Sequence, residues 1–189
     1  MRILILGPQG SGKGTQAKRI AAAYDIPHVA TGDILRAAIA DGSELGARVR
    51  PVMENGDLVP DELMVDLIRE RLADEDGFIL DGFPRTIAQA EALDSMLDEI
   101  GKPLDAVILL QVSDEVATDR LRARAEEEGR ADDSPEAIRN RLRLYHDLTE
   151  RVVDRYRLAG TEVAVDGEQT MDEVFVAVED ALASVGASR

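Results

Sequence analysis

The sequence predicts a three-layer α/β fold, in which a parallel sheet of about five strands carries helices on both faces. Four short segments are continuously apolar, which is typical of strands buried on both faces, and longer segments with helical apolar spacing separate them. Because strand and helix alternate along the chain, each crossover returns the chain to the same end of the sheet, which favours parallel pairing. The predicted strands are 3–6, 78–80, 106–110 and 163–165, with 28–30 as a shorter fifth.

Capping signals mark where the predicted helices begin. A Ser, Thr or Pro at the start of an apolar repeat satisfies or removes backbone N–H groups that lack a partner in the first turn. The signals predict helices over 62–73 after Pro60, 87–100 after Thr86, 135–158 after Ser134, and 174–183 after the capping box of Thr170 and Glu173. A helical, glycine-bearing segment at 31–59 and a charged turn at 125–129 fit the alternation poorly, and we expect them to be moving parts.

Length and charge exclude several classes of protein. A chain of 189 residues predicts one domain with a sizeable core. Its 38 acidic and 22 basic residues give a formal net charge of −16, so nucleic acid and anionic membranes are not expected partners. Without cysteine, no disulfide or thiolate zinc site can form. The apolar run at 3–6 is far too short for a signal peptide or a membrane span, so we expect a cytoplasmic protein.

The turn after the first strand has the composition of a phosphate-binding loop. Residues 7–15, called the P-loop below, read GPQGSGKGT and lie between a predicted strand and a predicted helix. Gly7, Gly10 and Gly12 allow positive φ, so backbone N–H groups can turn inward toward an anion that also faces the helix N-terminus. Lys13 adds a mobile positive charge. Gly14 stands where such loops usually carry the Ser or Thr that binds Mg²⁺, which leaves direct hydroxyl ligation of the metal open.

A second set of residues follows two other strands. Asp81 comes at the carboxyl end of one strand, where α/β sheets place ligand chemistry, and its carboxylate can hold the water shell of Mg²⁺. Arg36 and Arg85 lie on neighbouring loops, and two guanidinium groups there predict a second phosphate site beside the P-loop.

The order of these motifs along the chain resembles the adenylate kinase family, in its short type with a truncated lid. The matching segments are GPQGSGKGT, TGDILR, DGFPRT, GRADD, NRL and VDGEQTMDEV, which together span essentially the whole chain. The resemblance implies reversible Mg²⁺-dependent transfer of a phosphoryl group between ATP and AMP, giving two ADP, by a monomer without structural zinc. It also implies one domain over 1–189, with a core (1–29, 60–123, 134–189), an AMP-binding insertion (30–59) and a short lid (124–133).

The family's functional residues carry over by position. For ATP the resemblance implies Gly10, Ser11, Gly12, Lys13, Gly14, Thr15, Arg120, Arg124 and Gln169. For AMP it implies Thr31, Arg36, Asp57, Leu58, Val59, Gly82, Phe83, Pro84, Arg85, Gln89, Arg130 and Arg141. Lys13, Arg85, Arg124, Arg130 and Arg141 would act on the transferring phosphate, and Asp81 would reach Mg²⁺ through water rather than directly.

Several of these residues also have a plain structural interpretation. Thr31 could cap the helix that follows it, and Gln89 could return to the backbone N–H of Thr86 in a capping box. His28 and His146 have no neighbour at metal-ligand spacing, so neither is given a role. Three arginines lack support from a shared helix face and are expected on the surface: Arg122, Arg139 and Arg143.

Two other functions compete with the resemblance. A UMP or CMP kinase would share most motifs, although Thr31 and Gln89 favour adenine in this family. A P-loop ATPase or nucleotide switch would need no second arginine-lined site.

Overall fold

The structure, a computed structural model, describes residues 1–187 and contains a five-stranded parallel sheet with helices on both faces. Ser188 and Arg189, included in the predicted domain, lie outside the described residues. The strands follow the order β2-β3-β1-β4-β5 across the sheet. Their bounds are β1 Arg2–Leu6, β2 His28–Ala30, β3 Phe78–Asp81, β4 Ala106–Gln111 and β5 Glu162–Asp166. The predicted fold class is confirmed.

Alternate residues of the inner strands supply two separate cores. Leu4 packs with Leu80 against one helical layer, whereas Ile3 and Ile5 pack against the other. This two-sided burial is why the inner strands read as continuous apolar runs. The prediction that 163–165 is buried on both faces is wrong: only Val165 is buried, because β5 is an edge strand whose other face meets solvent.

Nine helices occupy the described part of the chain, together with a 3-10 turn (Ala131–Asp133) and a π-helical turn (Tyr145–Thr149). The helices are α1 Lys13–Tyr24, α2 Thr31–Ala40, α3 Glu44–Glu54, α4 Asp61–Leu72, α5 Ile87–Glu99, α6 Asp114–Glu128, α7 Pro135–Leu144, α8 Glu150–Leu158 and α9 Met171–Ala187. None of the helices within residues 1–187 is both long and apolar enough to cross a membrane.

The predicted caps at the start of α7 and α9 are present. The Ser134 hydroxyl accepts from the Ala137 N–H at 3.2 Å, and Thr170 exchanges hydrogen bonds with Glu173. The predicted turn at 125–129 is wrong, because α6 continues through Glu128 and ends at Gly129 with a φ of 62°.

Strand register brings the predicted site segments to one edge of the sheet. Ile5 pairs with Asp81, and Asp81 pairs with Ala30, so β1, β3 and β2 end side by side. The P-loop, Thr31 and the turn after Asp81 therefore emerge together at the carboxyl ends of the strands.

A histidine joins the π-helical turn to the start of α6. One His146 ring nitrogen, Nδ1, lies 2.7 Å from Glu150 Oε1, and the other, Nε2, lies 2.9 Å from Asp114 Oδ1. The hydrogen bond with Glu150, supported by Asp114, raises the pKa of His146. The contact with Asp114 could not be predicted from the sequence, since Asp114 is 32 residues away.

This arrangement predicts a pH-dependent contribution to stability. Since the folded-state pKa of His146 is raised, its stabilisation is complete below the unfolded pKa of about 6.5 and is lost as the pH rises through the folded value. The side chain is 43% exposed, so solvent screening limits the effect to less than about 1 kcal/mol. Melting temperatures of the wild type and His146→Gln should differ at pH 5.5 and converge by pH 8.5. An equal difference at both pH values would contradict this role.

Candidate active site

One cleft, about 510 Å³ in volume, lies over the carboxyl edge of the sheet. Nearly all residues implied by the resemblance line it. Of the residues implied for ATP, those that line the cleft are Gly10, Ser11, Gly12, Lys13, Gly14, Thr15, Arg120, Arg124 and Gln169. Of the residues implied for AMP, those that line it are Thr31, Arg36, Asp57, Leu58, Val59, Gly82, Arg85, Gln89, Arg130 and Arg141. Phe83 and Pro84 are buried and do not line it, so a direct contact of their side chains with a ligand in this cleft is not supported.

The P-loop glycines adopt the backbone that the sequence predicts. Gly7, Gly10 and Gly12 have φ values of 139°, 85° and 90°. A Cβ on Gly10 would lie 2.4 Å from the carbonyl oxygen of Ala117, so the loop passes too close to α6 for any side chain there. This contact fixes the loop against the helix that carries Arg120 and Arg124.

Lys13 folds back onto the P-loop. Its ammonium group donates to the carbonyl oxygens of Gly7 at 2.8 Å and Pro8 at 2.7 Å. Burial lowers the pKa of Lys13 to about 8, although the charge of Asp81 opposes the shift. At neutral pH the ammonium group is thus charged, and it is held only by neutral acceptors.

Arg85 is the second cation of the cleft with neutral partners. Its Nε donates to the Gly82 carbonyl oxygen at 2.8 Å. Burial and the nearby charge of Arg141 lower the pKa of Arg85 to about 10. Within residues 1–187, neither Lys13 nor Arg85 forms an ion pair with a carboxylate. Two enclosed positive charges that form no ion pair, with Asp81 as the nearby anion, make the cleft complementary to a polyanion.

Three further arginines of the cleft, Arg124, Arg130 and Arg141, are held by two consecutive aspartates. Asp133, whose side chain is fully buried, accepts from Arg124 at 2.7 and 2.9 Å and from Arg141 at 2.7 Å. Asp132 accepts from Arg141 at 2.7 Å and from Arg130 at 3.0 Å. Burial opposes ionisation of Asp132, yet the two arginines keep its pKa far below its ordinary value.

Sequence reasoning missed both aspartates as site residues. The acidic pair lies between Arg130 and Arg141, and this alternation of charge was the signal available. Which arginines it contacts depends on how α6 and α7 approach each other. Arg141 is buried, with only 8% of its surface exposed. Arg122, Arg139 and Arg143 are exposed, as predicted.

Other predicted residues are positioned by hydrogen bonds and ion pairs around the cleft. Arg120 donates to the Gly167 carbonyl oxygen at 2.8 Å, and both Gly167 and Gln169 line the cleft. Arg36 pairs with Asp33 and lies 3.5 Å from Asp132. The Asn140 amide donates to Asp57 at 2.7 Å, which ties α7 to the segment between α3 and α4.

Thr31 does not cap α2, so that interpretation is wrong. The helix begins at Thr31 itself, after Ala30, and no side chain caps it. The Thr31 hydroxyl instead donates to the Asp81 carbonyl oxygen at 3.2 Å. Thr31 is 1% exposed and lines the cleft at the start of α2, beside Gly82.

Gln89 contacts the backbone one residue earlier than a capping box requires. The Gln89 N–H donates to the Thr86 hydroxyl at 3.2 Å, which is the expected cap. The Gln89 Oε1 accepts from the N–H of Arg85 at 2.8 Å rather than from that of Thr86. Its Nε2 donates to Asp61 Oδ1 at 2.7 Å.

Asp81 is the acidic residue at the end of β3 and lines the cleft. Its side chain is 16% exposed, and its Oδ2 is 3.7 Å from His28 Nε2. Burial opposes ionisation, but His28 and Lys13 hold the pKa of Asp81 below its ordinary value. Across the described residues, no group of three or more His, Cys, Asp or Glu side chains is arranged to hold a metal ion.

Comparison with known proteins points to one family. The model of the adenylate kinase family matches residues 5–161 of this chain. An adenylate kinase from Stenotrophomonas maltophilia (strain R551-3) is 52% identical over 177 residues, which cover 92% of this chain and 95% of that protein. An adenylate kinase from Xanthomonas campestris pv. campestris (strain B100) is 50% identical over 185 residues, covering 96% and 99% respectively.

Proposed function

Because the chain belongs to the adenylate kinase family, we propose that its cleft binds ATP on the P-loop side and AMP on the Arg85 side. The chain is a phosphotransferase that moves the γ-phosphoryl group of ATP to AMP, reversibly, to give two ADP, and so serves adenine nucleotide homeostasis. The site assignment rests on Lys13 and Arg85, two cations that line one cleft and form no ion pair with a carboxylate of the described residues.

The acceptor needs no general base, since the phosphate oxygen of AMP is already ionised at neutral pH. Catalysis then depends on alignment and charge neutralisation. In the proposal Lys13 leaves the carbonyl oxygens of Gly7 and Pro8 and turns to the ATP phosphates. Arg85 meets the AMP phosphate, while Arg124, Arg130 and Arg141 neutralise the charge that spreads over the transferring group.

Mg²⁺ accompanies ATP in this proposal, and when bound it neutralises phosphate charge and fixes phosphate geometry. The residues present fit that ion. Asp81 offers an ionised oxygen, the ligand type that Mg²⁺ prefers, and would hold the ion through water. A Cβ on Gly14 would lie 3.4 Å from Asp81 Oδ2, so the carboxylate is next to the position that carries a hydroxyl in other P-loops.

The proposal keeps the division predicted from the sequence, with an AMP-binding insertion at 30–59 and a lid at 124–133. Support comes from the helices α2 and α3, which form the insertion, and from the 3-10 turn between α6 and α7, which carries Asp132 and Asp133. We further propose a monomer that acts in the cytoplasm. Support for a monomer is that few large apolar side chains are exposed among the described residues: Met1, Ile100, Leu158, Met171 and Val176.

A panel of nucleoside monophosphates tests this function directly. With ATP and Mg²⁺, the purified protein should form diphosphate with AMP at least tenfold more efficiently than with UMP or CMP. Formation of ADP from ATP without any monophosphate would identify an ATPase or switch instead. A preference for UMP or CMP would reassign the acceptor site.

An analogue that joins two adenosines through five phosphates should fill both sites at once. At a hundredfold its dissociation constant, linkage adds about 2.7 kcal/mol to the free energy of unfolding. Calorimetric titration should give one analogue per chain, and the bound analogue should exclude both ATP and AMP. Simultaneous binding of the analogue and AMP would show that the two sites are not adjacent.

Removal of divalent metal should separate catalysis from folding. Excess EDTA is expected to stop phosphoryl transfer, while the melting temperature of the nucleotide-free protein stays within about 1 °C, because no folding energy comes from the metal. A fall of many degrees would reveal a structural metal.

A further inference from the structure

The amide of Gln89 is held in one orientation by two groups of opposite character. The backbone N–H of Arg85 donates to its Oε1, and the carboxylate of Asp61 accepts from its Nε2. Reversal of the amide would place two donors together at Arg85 and two acceptors together at Asp61. Gln89 is 2% exposed, so water cannot easily compensate for such a mismatch.

Asp61 is itself fixed in place. It is the first residue of α4, and its second oxygen, Oδ2, accepts from the Thr86 hydroxyl at 3.0 Å. The same hydroxyl accepts from the Gln89 N–H and so caps α5. Asp61 does not line the cleft, whereas Gln89 does. Any effect of Asp61 on a ligand in the cleft therefore passes through Gln89.

The orientation of the amide matters because purine edges differ in the order of donor and acceptor. Adenine presents a donor at its exocyclic amine and an acceptor at the adjacent ring nitrogen. Hypoxanthine, otherwise alike, presents an acceptor and then a donor. An amide fixed in one orientation matches only one of these edges, while a free amide can turn to match either.

We propose that Asp61 is a positioning residue which, by fixing the Gln89 amide, makes the acceptor site select a 6-amino purine over a 6-oxo purine. The inference rests on the proposed function, since it assumes that the base of the acceptor nucleotide meets Gln89. Within the described residues, Gln89 keeps one amide hydrogen and one Oε1 lone pair without a protein partner, and these are the groups available to a base.

Asp61→Asn tests the proposal because the substituted amide keeps the size of the side chain but can present either a donor or an acceptor to Gln89. The probes are AMP and IMP, each measured by calorimetric binding without ATP and by kcat/KM with saturating ATP. We expect the AMP-to-IMP preference to fall about tenfold by both measures, with KM for ATP unchanged. Asp61→Ala, which removes the acceptor, should lower the preference similarly and serves if Asp61→Asn does not fold.

Glu62→Gln is the matched control, since Glu62 is the next residue of the same first helical turn and is exposed. It should leave the preference unchanged. In a Gln89→Ala background, Asp61→Asn should have no further effect on the preference, because the amide through which it acts is gone.

The outcomes distinguish failure of this inference from failure of the proposed function on which it rests. If wild-type protein neither binds nor phosphorylates AMP, the proposed function fails whatever Asp61 does. If the wild type prefers AMP and Asp61→Asn keeps the same AMP-to-IMP preference, Asp61 is only a helix residue and the inference is wrong. An equal loss for AMP, IMP and ATP would likewise mark a purely structural role.

Discussion

Replacing Lys13 by alanine is expected to lower kcat by about 10²–10³-fold, which corresponds to ~3–4 kcal/mol of transition-state stabilisation. The ammonium group is the only lysine charge on the P-loop, and it is enclosed beside Asp81, where electrostatic interactions with phosphate are strong. Lys102→Ala is the matched control, because the Lys102 side chain is 37% exposed, pairs with Asp76 and does not line the cleft. Steady-state kinetics of both variants decide the point. A Lys13→Ala enzyme with half the wild-type kcat would remove Lys13 from the mechanism.

The stability of the same variant gives an independent check. A lysine whose folded pKa is lowered, here to about 8 from 10.5, destabilises the native state at neutral pH, and the penalty fades as the pH rises between these values. Without nucleotide, Lys13→Ala should therefore melt at or above the wild-type temperature at pH 7. The advantage should shrink toward pH 10. A variant that melts well below the wild type would show that the hydrogen bonds to Gly7 and Pro8 outweigh the cost of burying the charge.

The sequence was sufficient for the sheet and for most of the cleft because both depend on local patterns. Buried inner strands are apolar except at their ends, and parallel strands place the turns after them at one edge. Lys13, Thr31 and Asp81 could therefore be brought together from the sequence alone. Whether a strand lies at the edge of the sheet cannot be predicted from its own residues. The segment 163–165 is as apolar as an inner strand, yet its neighbour on one side is solvent.

Contacts between distant elements account for what the sequence did not reveal. The Gln89 side chain bonds to Arg85, four residues before it, and to Asp61, 28 residues away. The contact with Asp61 depends on how α4 packs on α5, so it could not be predicted from the sequence. His146 and Asp114 are a similar case. Capping rules describe backbone groups within one turn, so they correctly predicted that the Thr86 hydroxyl accepts from the Gln89 N–H. They did not predict that the Gln89 side chain accepts from the N–H of Arg85 rather than from that of Thr86.

Asp133→Asn is expected to lower the free energy of unfolding of the nucleotide-free protein by about 3 kcal/mol or more. Asp133 is fully buried and balances Arg124 and Arg141 through three hydrogen bonds of 2.7 to 2.9 Å. The substitution keeps the shape but leaves two guanidinium groups without their shared charge, and it turns amide hydrogens toward them. Asp154→Asn is the control: Asp154 forms an exposed ion pair with Arg157, whose loss should change stability by less than about 0.5 kcal/mol. Urea denaturation of the three proteins measures both values.

The proposed role of Arg124 and Arg141 in phosphate binding predicts how bound nucleotide changes the stability of Asp133→Asn. Arg124 and Arg141 must hold phosphate oxygens during transfer, so a polyphosphate supplies the anionic partner that Asp133→Asn lacks. Saturation with the linked diadenosine analogue should therefore narrow the stability gap between wild type and variant. The kcat of the variant should nevertheless fall, because the arginines are no longer preorganised before the substrates arrive. If the gap stays the same with the analogue bound, the two arginines do not turn to phosphate, and their place in the catalytic site would have to be given up.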